Sequence, residues 1–114
     1  MRFKAIGSLA VIALLAAGGC ARSPASSFLA AGLASARQDA WEDAARHWAQ
    51  AVAEDPGSAA AHNNLAVAYE RQGAWAEAER EYREGLRLAP DEPTVKKNYA
   101  AFKARLERLR ERRP

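Results

Sequence analysis

A single cysteine, Cys20, stands in 114 residues, so no intramolecular disulfide closes the fold and packing alone must hold it. The two histidines, His47 and His62, have neither a paired cysteine nor an H-x-x-x-H spacing, which leaves no metal-ligand pattern. There is no nucleophile elbow and no phosphate-binding glycine loop. No segment alternates apolar and polar residues in the two-residue period of a half-buried strand, so the folded part is expected to be all-α. The one long apolar run, Ala5 to Ala17, falls short of the roughly 20 residues that a membrane-spanning helix needs. Together these absences point away from catalysis, from a resident cofactor or metal, and from a polytopic membrane protein.

That apolar run has a context of its own. Arg2 and Lys4 form a short basic segment ahead of it, and its length suits the hydrophobic core of a secretory signal. Ala17, Gly18 and Gly19 then lead into Cys20, after which the chain turns polar at Arg22 and Ser23. This resembles a bacterial lipobox, with Ala17 standing where leucine is most usual. The resemblance implies a signal peptide over 1–19, lipidation of Cys20 as the first mature residue, and a short tether over 20–25. Alanine at position 21 implies an outer-membrane destination, facing the periplasm. An ordinary cysteine in an apolar helix, or a free thiol after conventional cleavage, are the alternatives for Cys20.

The formal net charge of +3 conceals a split. Residues 20–95 hold seven Lys/Arg against twelve Asp/Glu, a balance of −5, whereas residues 96–114 hold eight against two, a balance of +6. An acidic body therefore precedes a basic tail. The arginines at 108, 110, 112 and 113 would suit a helix C-terminus or anionic headgroups. A secretory signal argues against nucleic acid as their partner.

The strongest signal is a repeat. Arg37, Gln38, Ala40, Trp41 and Ala44 recur as Arg71, Gln72, Ala74, Trp75 and Ala78, 34 residues on. Prolines 56 and 90 close the two units at the same period, since proline cannot continue a helix. Helices are expected at about 26–38, 41–54, 59–72, 75–88 and from Pro93 to about Arg110. The period and the late proline resemble the tetratricopeptide repeat (TPR), a helix-turn-helix unit that buries its apolar face by stacking on its neighbours. The resemblance spans about 25–106 and implies repeats at 26–58 and 59–92, with a capping helix and basic tail at 93–114. Its small-residue places fall on Gly32 and Ala66 in the first helices, and on Ala44, Ala78, Ala51 and Gly85 in the second. Its large aromatic falls on Trp48 and Tyr82. Asn98, Tyr99 and Ala100 repeat the Asn64, Leu65, Ala66 triplet, so the fifth helix resembles the first half of a third repeat. Ser35 stands where the second repeat has Tyr69, which implies a thinner core in the first.

In this family partners lie across the inner face built by the first helix of each repeat. The resemblance places Leu29, Leu33 and Arg37 there from the first repeat. Asn63, Asn64, Val67 and Arg71 come from the second, and Lys97, Asn98 and Arg105 from the fifth helix. An apolar half beside a cationic, amide-rich half would suit an extended or helical peptide with an acidic end. Of the places used by carboxylate-clamp TPRs only Asn64 coincides, so that specificity is not implied. His62 replaces an early aromatic, and His47 is expected on an exposed face. Val95, Tyr99, Phe102, Leu106 and Leu109 form an apolar stripe on the fifth helix, suited to capping the second repeat or, in its outer half, to pairing with a second copy. The reading is a lipid-anchored interaction adaptor, with a self-associating envelope protein as the alternative.

Overall fold

The computed structural model describes residues 10–12 and 23–114; Cys20, the start of the tether and all but residues 10–12 of the expected signal peptide lie outside the described residues. Five helices follow one another: α1 Pro24–Arg37, α2 Trp41–Glu54, α3 Ala59–Arg71, α4 Trp75–Leu88 and α5 Pro93–Glu111. No strand occurs among the described residues. The first helix begins two residues ahead of the expected tether boundary. Ser23 caps it by accepting the Ser26 N–H at 3.2 Å, and Pro24 fits a first-turn position whose amide needs no partner. Ser58 caps α3 in the same manner through the Ala61 N–H at 3.1 Å, and the Glu92 carboxylate caps α5 through the Val95 N–H at 2.8 Å.

The 34-residue period extends to the turns. Between α1 and α2 the chain reverses through Asp39 at φ 56°, and between α3 and α4 through Gly73 at φ 75°. These left-handed residues let the Ala40 and Ala74 amides fold back onto the Ser35 and Tyr69 carbonyls at 3.0 and 2.9 Å. The proline turns match as well, with Ser58 N–H on Asp55 O and Glu92 N–H on Ala89 O at 3.1 and 3.2 Å.

Helices α1 and α2 pack as one hairpin, α3 and α4 as a second, α2 joins the two, and α5 lies on α3 and α4. The first hairpin's core holds one large ring, Trp48, among Leu29, Leu65 and alanines 36, 44, 45, 51, 61 and 68. The Trp48 indole is fully buried and donates to the Leu29 carbonyl at 3.2 Å. It fits because position 32 has no Cβ: one built there would collide with the indole. The second core is aromatic, with Tyr82 centred 5.3 Å from Phe102 and 5.8 Å from Tyr99, and Trp75 6.2 Å from Phe102. Fully burying rings such as Tyr82 and Phe102 contributes on the order of 2–3 kcal/mol each. Val95 and Phe102 of the α5 stripe are fully buried, Tyr99 and Leu106 pack against the same core, and Leu109 stays exposed. The helix thus covers the apolar face that the second hairpin would otherwise leave to water.

Candidate functional site

Three asparagines set the character of the face formed by α3 and α5. Asn63 and Asn64 are fully buried on α3, and Asn98 is nearly so on α5. Buried amides need partners, and these find them in one another and in a segment far away in sequence. Asn98 Nδ2 donates to Asn63 Oδ1 at 3.0 Å, which ties α5 to α3. The Asn64 side chain closes a two-bond ring with one residue's backbone. Its Oδ1 accepts the Ile12 N–H at 2.9 Å while its Nδ2 donates to the Ile12 carbonyl at 3.1 Å. Only one orientation of the amide satisfies both bonds. Two residues earlier, the Ala10 carbonyl accepts from Asn98 Nδ2 at 2.7 Å and from Asn63 Nδ2 at 3.4 Å.

The two-residue spacing of those contacts is the signature of extended backbone, in which alternate residues present their polar edges to the same side. Between them, the Val11 side chain packs against both hydrophobic cores, a position shared by Trp41 and Tyr69. The face can therefore hold an extended segment by its main chain and take one branched apolar side chain at the junction of the two hairpins.

Next to the amides lies a charged cluster built around a buried carboxylate. Glu70 accepts the Tyr82 hydroxyl proton at 2.8 Å and an Arg105 N–H at 2.6 Å, with the Glu70 side chain wholly buried. Burial raises the Glu70 pKa above the usual carboxylate value, and the Tyr82 bond and the Arg105 charge oppose that shift. The Arg71 guanidinium lies over the Trp41 ring, 5.0 Å from its centre. Burial, and then the nearby Arg105 charge, lower the Arg71 pKa. A second polar pair, His62 and Glu81, sits 2.6 Å apart between α3 and α4, and the other His62 nitrogen meets the Pro56 carbonyl at 2.9 Å.

The expected groove residues divide. Asn63, Asn64, Val67, Arg71, Asn98 and Arg105 come together on α3 and α5, with Val67 fully buried in the second core. Lys97 is exposed beside Asn98, and Arg37 is exposed at the end of α1. Leu29 lies in the first hairpin's core, with its carbonyl engaged by Trp48, as Val67 lies in the second. Leu33 packs half-buried against the same core. His47, expected on an exposed face, is half-buried. The Glu70–Tyr82–Arg105 cluster and the His62–Glu81 pair were not anticipated, since partners 12 to 35 residues apart leave no local pattern. Among the described residues no group of three or more His, Cys, Asp or Glu is placed to hold a metal ion, and no helix is long and apolar enough to cross a membrane.

The family model for the tetratricopeptide repeat matches residues 29–93, more than half of the chain. The chain belongs to the tetratricopeptide repeat family. No curated protein matches it. TPR hairpins are interaction modules that stack to expose a concave protein-binding surface, and in this TPR protein the buried asparagines lie on α3 and α5.

Proposed function

We propose that this TPR protein is a non-enzymatic adaptor or assembly factor of the bacterial cell envelope. Lipid on Cys20 tethers it to a membrane, facing the periplasm from the outer membrane, and a protein partner lies across α1, α3 and α5. One observation carries the binding half of this reading: three buried asparagine amides converge on the main chain of an extended segment, and the adjoining Arg71–Arg105–Glu70 cluster keeps a net positive charge. The tether half rests on the basic start, the apolar run and the Ala17-Gly18-Gly19-Cys20 sequence.

Two measurements test it. A Cys20→Ser chain is expected to leave the membrane fraction of the producing cell for the soluble one; unchanged fractionation rejects the lipid anchor. A photo-crosslinking residue at the exposed Lys97 position is expected to trap a protein that is lost when Asn98 and Arg71 are replaced. Trapping that survives both replacements rejects the groove. The second reading, self-association through α5, is favoured by the exposed Leu109 at the end of the apolar stripe, which forms a shallow depression with Trp75 and Leu106.

A further inference from the structure

We infer that the uncleaved chain occupies its own partner groove, with Ala10–Ile12 as a built-in extended peptide that any partner of the same chemistry must displace. The inference rests on the groove being the partner-binding face. It adds what kind of segment that face holds and what keeps it filled.

Four side-chain bonds join this short segment to α3 and α5, across 52 to 88 residues of sequence. All of them reach main-chain atoms, so none is made to the side chains of residues 10 and 12. They demand instead an extended backbone with a free N–H at position 12, which excludes proline there and excludes a helix, whose amides are already engaged. The side chain between them makes the selection. Val11 packs against both cores at the junction of the hairpins, where a charge would be desolvated without a partner. The preferred occupant is thus an extended, uncharged tripeptide with a branched apolar residue at its centre, and the apolar run around Ala10 provides it. With the segment in place, Asn63 and Asn64 are fully buried and each amide is satisfied. Removal of the residues ahead of Cys20 would leave three amides and the Val11 position open to an extended peptide from elsewhere. Processing would then switch the adaptor from self-occupied to receptive.

The test uses the full chain and a fluorescein-labelled peptide with the sequence of residues 8–14, Ser-Leu-Ala-Val-Ile-Ala-Leu, followed by anisotropy. Val11→Asp ejects the internal segment while leaving every helix intact. That chain is expected to bind the peptide at least about 10-fold more tightly than the wild-type chain, whose groove is filled. Adding Asn64→Ala to it removes two hydrogen bonds and is expected to weaken binding by about 10-fold or more. Circular dichroism confirms that all three chains are helical. A helical Val11→Asp chain that fails to bind, binds no better than wild type, or is indifferent to Asn64→Ala overturns the inference. If that happens while the Lys97 crosslink still traps a partner in cells, self-occupancy falls and the adaptor reading stands. Peptide binding without any trapped partner supports self-occupancy and rejects the adaptor reading alone.

Discussion

Arg105 of α5 donates to the Glu70 carboxylate of α3 at 2.6 Å, pairing a cation directly with a side chain that has no exposure to solvent, while Arg71 adds a second nearby positive charge. The Tyr82 hydroxyl satisfies the second oxygen, so one carboxylate pins both the capping helix and the second hairpin to α3. Because the amides of the proposed groove lie on α3 and α5, this pairing helps to set the distance between them.

Arg105→Leu is therefore expected to cost about 3 kcal/mol at neutral pH, since it removes the hydrogen-bonded cation from a buried carboxylate and leaves Arg71 as the remaining nearby positive charge. Burial already raises the Glu70 pKa, and loss of Arg105 raises it further, so the deficit should shrink as pH falls and Glu70 takes up a proton. Urea denaturation of the variant at pH 7 and pH 5 measures this. An equal deficit at both pH values would mean that Arg105 acts through packing alone.

A second pH effect arises from His62. Its two ring nitrogens face two acceptors, the Glu81 carboxylate and the Pro56 carbonyl, an arrangement that only the doubly protonated ring satisfies. The bond to Glu81 raises its pKa above 6.5; burial opposes this, while the Pro56 bond and the Glu81 and Glu84 charges add to it. Arg80, bonded to Glu81, is the nearby cation. A raised folded pKa means that this stabilisation is complete below about pH 6.5, the unfolded value, and is lost as pH rises through the folded value. Melting temperature should fall over that window in the wild-type chain, and His62→Gln should flatten that part of the profile.

Gly32→Ala tests the close approach of α1 and α2. Alanine normally strengthens a helix by up to about 1 kcal/mol. Here its Cβ would strike the fixed Trp48 indole, and overpacking of that kind costs about 1–3 kcal/mol or more. A net loss near 2 kcal/mol is expected, roughly 10 °C in melting temperature for a domain of this size. Gly57→Ala, whose Cβ would meet only the Asp55 carboxylate at 3.7 Å, should stay close to wild type.

Leu109 bears on oligomeric state. It is 40% exposed beyond the part of α5 that covers the second hairpin, so Leu109→Glu should change stability by no more than about 0.5 kcal/mol. Light scattering on the Cys20→Ser chain is expected to give a monomer mass with or without it. A concentration-dependent dimer abolished by Leu109→Glu would establish the self-association reading instead.

Much of the fold was legible because a repeat writes its packing twice. Trp41 and Trp75, Ala44 and Ala78, and Trp48 and Tyr82 fall at one period, and a helix buries residues by spacing alone. The capping role of α5 followed from its apolar stripe in the same way. The groove was only partly legible. Asn64 and Asn98 stand out through the repeated Asn-hydrophobic-Ala triplet, whereas the spacing of Leu29 and Val67 suits the inner face and the core alike.

Local pattern thus determined the all-helical class, the hairpin boundaries, and the small and large positions where helices meet, since each depends on residues three, four or 34 apart. The tertiary structure alone decided which buried polar atoms meet. Glu70 with Tyr82 and Arg105, His62 with Glu81, and the asparagines with the main chain of Ala10 and Ile12 are pairings across 12 to 88 residues. Their geometry arises only once the helices are stacked, because a polar side chain taken out of water is satisfied by whichever complementary atom packing brings within reach.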